Sequence, residues 1–239
     1  MITRRAFTLW IAFAVASITL QSRTAVWSAQ RSSPESAEEE VCDPLADYYL
    51  GMEDYPQAIR RHLMVIREHP ERALAYYHIG FAYGVMGDHR RELAGYQKAV
   101  EMGLSDWNLF LNLGLLYMDT GHLDSAVEVL RLAALLGPYQ PETHFNLGLV
   151  YERLGMFQRA QQELLLSLTL DPNQTDAHNQ LGVVYAEEGN YELAYQEWSD
   201  LAHSNPDYAP ARANLAILKR VESGEMKGPR HLSGFAHAP

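Results

Sequence analysis

The chain has 239 residues, of which 47% are apolar, and a formal net charge of −11 at pH 7. This length and composition suffice for one medium-sized domain or a short array of repeats. The acidic balance argues against DNA or RNA as a partner, because nucleic-acid binding depends on Lys and Arg side chains that neutralise phosphates. The single cysteine, Cys42, excludes an internal disulfide and a cysteine-based metal cluster.

Residues 1–29 are predicted to be an export signal peptide. The Arg4-Arg5 pair precedes an apolar run that ends at Leu20, and the segment after it ends in the small residues Ser28 and Ala29. A bilayer-spanning helix needs about 20 apolar residues, and this run is shorter, so we expect cleavage and no stable membrane span afterwards. The mature chain is therefore expected outside the cytoplasm, in the periplasm or the extracellular space.

The residues around the arginine pair leave the export route open. Arg4, Arg5 and Phe7 resemble the twin-arginine export motif, but Thr8 stands where that motif has leucine. An ordinary secretory signal that begins with two arginines is the alternative. The next segment, residues 30–38, contains Ser, Pro and Glu and is predicted to be a solvated linker.

From residue 39 onward the sequence repeats with a period of 34 residues. Two consecutive blocks have the same residue types at five positions. These positions are Leu147, Gly148, Tyr151, Ala160 and Pro172 in one block and, 34 residues later, Leu181, Gly182, Tyr185, Ala194 and Pro206 in the next. The same frame predicts blocks at residues 39–72, 73–106, 107–140, 141–174 and 175–208, a capping helix at 209–222 and a disordered tail at 223–239. Such a strict period indicates a repeat protein rather than a single irregular domain.

Each block has the pattern of a helix, a short turn and a second helix. Two apolar stripes at helical spacing are separated by a glycine, such as Gly155 or Gly189. Pro172 and Pro206 follow the second stripe, where a proline ends a helix. Small residues in both helices, such as Gly148 and its counterpart in the next block, predict that the paired helices approach closely.

This period and its Leu-Gly, Tyr, Ala and Pro pattern resemble the tetratricopeptide repeat family over about residues 39–222. The resemblance implies an all-α, right-handed superhelical solenoid of about five repeats with a C-terminal capping helix. The sequence departs from the family at the position of its usual tryptophan. That position is held by Cys42, Tyr76, Phe110, His144, His178 and Arg212.

The resemblance also implies a concave groove lined by the first helix of each block. One residue per block, just before the Leu-Gly position, would form a ladder along it: His78, Asn112, Asn146, Gln180 and Asn214. A side-chain amide both donates and accepts hydrogen bonds, so such a ladder can pair with the backbone of a bound peptide. The alternative is that these residues merely support the helices.

Neighbouring positions add side chains that are mostly apolar: Tyr77, Phe81, Leu111, Leu115, Phe145, Leu149, Asn179 and Val183. The ladder and these residues are together called the inner face. We expect its apolar side chains to be exposed in an empty groove, which favours a protein ligand. Acidic residues nearby, such as Glu152 and Glu187, would select against anionic segments.

The sequence offers no catalytic motif. It lacks a glycine-rich phosphate loop, a serine nucleophile elbow and a His-Glu-x-x-His pattern. His144 and His178 are a full repeat apart, too far to share one metal ion. We therefore expect no enzyme activity, no cofactor and no metal site.

These observations favour an adaptor or scaffold of the bacterial cell envelope. Its groove would bind a peptide segment or a helix of a partner protein. A self-assembling structural protein, in which copies of the chain form a homo-oligomer, is the alternative. An enzyme is the least favoured interpretation.

Overall fold

The computed structural model describes residues 43–223, and every regular element in that range is an α-helix. The helices are α1 (Pro44–Gly51), α2 (Tyr55–Glu68), α3 (Ala73–Val85), α4 (His89–Glu101), α5 (Trp107–Asp119), α6 (Leu123–Leu136), α7 (Pro141–Arg153), α8 (Phe157–Leu170), α9 (Thr175–Glu187), α10 (Tyr191–Ser204) and α11 (Ala209–Glu222). The predicted all-α repeat fold is confirmed. The predictions for Cys42, the signal peptide, the linker and the tail from residue 224 onward lie outside the described residues.

The helices follow the 34-residue period of the sequence. Helices α3, α5, α7, α9 and α11 begin at residues 73, 107, 141, 175 and 209. The turn inside each helix pair needs one residue in the left-handed region, as at Gly155 (φ 69°) and Gly189 (φ 80°). In the first pair Glu53 takes this conformation, with φ 58°. No helix within residues 43–223 is both long and apolar enough to cross a lipid bilayer.

The chain divides into two compact units, with the boundary after Leu116 inside α5. In the described part of the first unit, α2 packs against α1 and α3, and α3 packs against α4. In the second unit each helix from α6 to α11 packs against the next one in the sequence. This order of neighbours is that of stacked helix–turn–helix repeats.

The second unit shows why glycine stands in the first helix of a pair. A methyl group on Gly182 would lie 2.5 Å from Nε1 of Trp198, and one on Gly148 would lie 2.7 Å from Cγ of Leu164. Trp198 and Leu164 are fully buried. The predicted close approach of the paired helices is therefore confirmed, and the large side chains of α8 and α10 fill the space that the glycines leave. Burying one such side chain stabilises the fold by about 1.5–3 kcal/mol.

Candidate peptide-binding face

In the first unit the inner-face residues lie on α3 and α5 and are mostly half-buried. Phe81 is 37% exposed, whereas Leu111 is only 8% exposed. Nδ2 of Asn112 donates a hydrogen bond to Oη of Tyr77 at 2.8 Å, which links α5 to α3. Burial raises the pKa of Tyr77 to about 12, so the hydroxyl stays protonated at neutral pH. Asn112 is thus already engaged by its own chain.

In the second unit three inner-face residues on α7 reach the surface in part. Phe145, Asn146 and Leu149 are each partly exposed. Nδ2 of Asn146 donates to the carbonyl oxygen of Glu142 at 2.8 Å, within the same helix. This bond stays within α7, so it does not tie Asn146 to a second helix in the way that the bond of Asn112 does. These three residues are called the α7 strip.

Four other inner-face residues of this unit are buried completely. Asn179, Gln180 and Val183 on α9 and Asn214 on α11 all have 0% exposure. Nδ2 of Asn214 donates to Oδ1 of Asn179 at 3.0 Å, which ties α11 to α9. A buried amide needs such a partner, because an unsatisfied one costs about 1–3 kcal/mol.

Burial corrects part of the sequence-based expectation. Leu111 and Val183 were expected to be exposed apolar side chains, and both are buried, so that expectation is wrong for them. Asn112 and Asn214 each bind a residue 35 positions earlier in the chain. Two members of the predicted ladder therefore connect successive first helices. The remaining inner-face residues keep part of their surface open in both units: Tyr77, His78, Phe81, Asn112 and Leu115 in the first unit and the α7 strip in the second.

Two carboxylates lie beyond the α7 strip. Glu152 follows Leu149 by three residues and so continues the same face of α7. Burial and the negative charge of Glu187 on α9 both raise the pKa of Glu152, and Arg153 offsets them in part. Like charges held close together favour a cation between them. We call Glu152 and Glu187 the acidic pair.

Comparison with known proteins agrees with this repeat geometry. A family model of the tetratricopeptide repeat matches residues 108–138 and 141–174. These two segments are similar to tetratricopeptide repeats. No curated protein sequence matches the chain.

Solved structures of tetratricopeptide proteins resemble the fold of this chain. PilF of Pseudomonas aeruginosa has a TM-score of 0.67 at 19% identity, over 81% of this chain and 88% of that one. MamA of Desulfovibrio magneticus RS-1 has a TM-score of 0.65 at 16% identity, over 71% and 96%. YrrB, described as a tetratricopeptide protein with an unusual peptide-binding site, has a TM-score of 0.63 at 22% identity, over 80% and 97%. At these identities the likeness concerns the fold alone.

Two histidines take the place of the aromatic residue that this repeat family usually has. Nδ1 of His144 donates to Oε2 of Glu163 at 2.8 Å, and Nδ1 of His178 donates to Oε2 of Glu197 at 2.9 Å. The other ring nitrogens point to the carbonyl oxygens of the prolines that precede each helix pair, Pro138 and Pro172.

The carboxylate and the carbonyl oxygen beside each ring both accept hydrogen bonds. An imidazole can donate to both only when both of its nitrogens are protonated. The hydrogen bond to the carboxylate accordingly raises the pKa of both histidines. The sequence signal for these contacts is the shared spacing of 19 residues between His and Glu in consecutive repeats. The sequence alone did not predict the two glutamate partners.

Proposed function

We propose that the chain is a non-catalytic adaptor of the bacterial cell envelope that binds a neutral or basic peptide segment of a partner protein. The observation that carries the proposal is the α7 strip beside the acidic pair in the second unit. The tetratricopeptide repeat is a fold used for protein–protein interaction, and the YrrB structure is described as containing a peptide-binding site. Both facts support a peptide as the ligand.

The composition of the α7 strip suits an extended peptide or a helix. Phe145 and Leu149 offer apolar surface to side chains of the ligand, and they are one turn apart on the same helix face. Asn146, between them in sequence, carries an amide that can pair with a backbone group. Together they supply the apolar anchors and the backbone contact that peptide recognition commonly combines.

Charge selects among such peptides. The raised pKa of Glu152 reflects burial and repulsion from Glu187. A Lys or Arg of the ligand placed beside the acidic pair would relieve this repulsion, whereas an acidic residue there would add to it. We therefore expect a basic residue in the bound segment, next to the residues that contact Phe145 and Leu149.

The test is a screen of synthetic peptides followed by paired variants. Fluorescence anisotropy would measure the affinity of the best peptide for the wild type and for two double variants. The α7 variant carries Phe145→Ala and Asn146→Ala, and the control variant carries Leu165→Ala and Leu166→Ala. The control residues lie on α8 and are 44% and 41% exposed. We expect the α7 variant to bind at least about tenfold more weakly, equivalent to about 1.4 kcal/mol, and the control to bind normally. Equal binding by the α7 variant would contradict the proposal.

The charge requirement has its own control in the ligand. Replacing the basic residue of the best peptide by Glu should weaken binding, and the loss should be smaller at high salt because salt screens exposed charges. A peptide whose affinity is unchanged by this replacement would show that the acidic pair plays no part in recognition.

The envelope location rests on the composition of residues 1–29. The double variant Arg4→Lys plus Arg5→Lys keeps the positive charge but removes the arginine pair. Export of the wild type and retention of this variant in the cytoplasm would indicate the twin-arginine route, and export of both would indicate the general secretory route. Retention of the wild type in the cytoplasm would contradict the location.

A further inference from the structure

Three polar side chains meet in the first unit at one junction of α1, α2 and α3. His62 stands at the repeat position that Tyr96, Leu130, Leu164 and Trp198 hold in the other blocks. Asp47 stands at the position that Phe81, Leu115, Leu149 and Val183 hold. The third residue, His78, belongs to the predicted ladder. Two positions that are apolar in every other block are thus polar in the first one.

Their side chains converge on a small volume. Each of the three offers one atom that could ligate a metal ion, and these atoms all lie within 4.8 Å of one another. Oδ1 of Asp47 lies 3.1 Å from Nδ1 of His78 and 3.9 Å from Nε2 of His62. The two imidazole rings are tilted by 58°, with their centroids 4.8 Å apart.

The cluster lacks the hydrogen bonds that buried polar groups normally have. His62 is completely buried, and neither of its ring nitrogens has a hydrogen-bond partner among the described residues. Oδ1 of Asp47 and Nδ1 of His78 form an ion pair at 3.1 Å, and neither buried atom has a further partner in residues 43–223. Each unsatisfied group of this kind costs about 1–3 kcal/mol. Packing alone therefore gives no reason for a buried histidine at position 62.

We propose that Asp47, His62 and His78 bind a divalent transition-metal ion. Two imidazoles and one carboxylate form a donor set that suits Zn²⁺ and its first-row neighbours. Ligands at about 2.0–2.2 Å from a tetrahedral ion are about 3.4 Å from one another. The two spacings to Asp47 are 3.1 and 3.9 Å, and the third, between the two histidines, is within 4.8 Å. The site therefore needs small side-chain movements and no rearrangement of helices.

The surroundings are compatible with a cation. Asp43 adds a second carboxylate near His62, and Arg61, whose guanidinium lies 3.9 Å from that carboxylate, offsets it in part. Burial lowers the pKa of His62 to about 4, so its ring is neutral at pH 7. The side chain of Asp47 is 32% exposed, so the cluster lies close to the surface of the described fold.

Binding would join the first three helices through one ion. The ligands come from α1, α2 and α3, so an ion held by all three would favour the packed arrangement over the unfolded one. It would also give His78 a function different from that of Asn112 and Asn146, which hold the same place in later repeats.

The test uses the full chain without a polyhistidine tag. Zn²⁺ binding would be measured by calorimetry and by competition with a chromophoric chelator, and Co²⁺ would report the ligand field through its visible absorption. The matched variants are His62→Leu and His78→Asn, which carry the residues found at these positions in other repeats and so keep the fold. His178→Phe is the control, because it removes a histidine that pairs with a single carboxylate elsewhere.

We expect the wild type and His178→Phe to bind one Zn²⁺ with the same affinity. Each of the two matched variants should bind at least about 100-fold more weakly, since even outer-shell changes cost 10–100-fold. Far-UV circular dichroism checks that both variants are folded. The proposal would be overturned by a wild type that binds no Zn²⁺, or by His62→Leu and His78→Asn variants that bind it as tightly as the wild type.

Discussion

One position of the repeat has opposite chemistry in the first block and in the fourth and fifth blocks. In the second unit it is held by Leu164 and Trp198, which are fully buried and pack against Gly148 and Gly182. The indole N–H of Trp198 also donates to the carbonyl oxygen of Asn179 at 3.1 Å. In the first block the same position is held by His62, which is just as buried and has no hydrogen-bond partner within residues 43–223.

The residue types at this position differ in what they contribute to the stability of the fold. A large apolar side chain at this position stabilises the helix pair through burial, as in the second unit. A histidine there gives up part of that burial energy and adds the cost of an unsatisfied polar group. The first block therefore sacrifices stability at a place where the other blocks gain it, which is the usual mark of a site rather than of a core.

The largest effect is expected at Trp198. Replacing Trp198 by Ala removes the largest fully buried side chain within residues 43–223 and leaves a cavity against Gly182. We expect a loss of about 3–5 kcal/mol in the free energy of unfolding. Urea unfolding followed by circular dichroism measures the loss, and hydrogen exchange should place it in α9 and α10. A loss below 1 kcal/mol would show that the helix pair can collapse around the missing ring.

The next largest effect on the free energy of unfolding is expected when the residue types at positions 62 and 164 are exchanged. Without metal, His62→Leu should raise the free energy of unfolding by about 1–2 kcal/mol, because it removes an unsatisfied buried group. The reciprocal change, Leu164→His, should lower it by about 2–3 kcal/mol for the same reason. Urea unfolding in the presence of a chelator measures both. A destabilised His62→Leu protein would show that the histidine supports the metal-free fold.

The smallest effect concerns pH and a histidine that does have partners. His144 has its pKa raised by the hydrogen bond to Glu163, so its contribution to stability is complete below the ordinary pKa of 6.5 and disappears as the pH rises through the higher folded value. His144→Phe, which copies Phe110 of an earlier block, should therefore destabilise by about 1 kcal/mol more at pH 5.5 than at pH 8.5. Urea unfolding at the two pH values measures the difference. An equal effect at both would mean that the ring acts through packing.

Much of the fold was predictable because it is encoded locally. Apolar residues at helical spacing, glycines between them and prolines after them repeat every 34 residues, and the helices begin with that period. The inner face was predicted less well. Leu111 and Val183 occupy the predicted face positions, yet neighbouring structure buries them. The repeat pattern predicts which face of its helix a residue occupies. Whether that residue is buried depends on the neighbouring helices that pack over it.

The polar contacts show the same limit. The sequence contained the signal for the cluster of Asp47, His62 and His78, as polar residues at repeat positions that are otherwise apolar. Their convergence required three helices to pack, because the residues are 15 and 16 positions apart in the chain and meet within 4.8 Å. The sequence by itself determined the helices and their period, since these follow from local conformational preference and apolar spacing. Tertiary packing alone decided which polar groups lose water and which find a partner, since desolvation and hydrogen bonding depend on distances between helices.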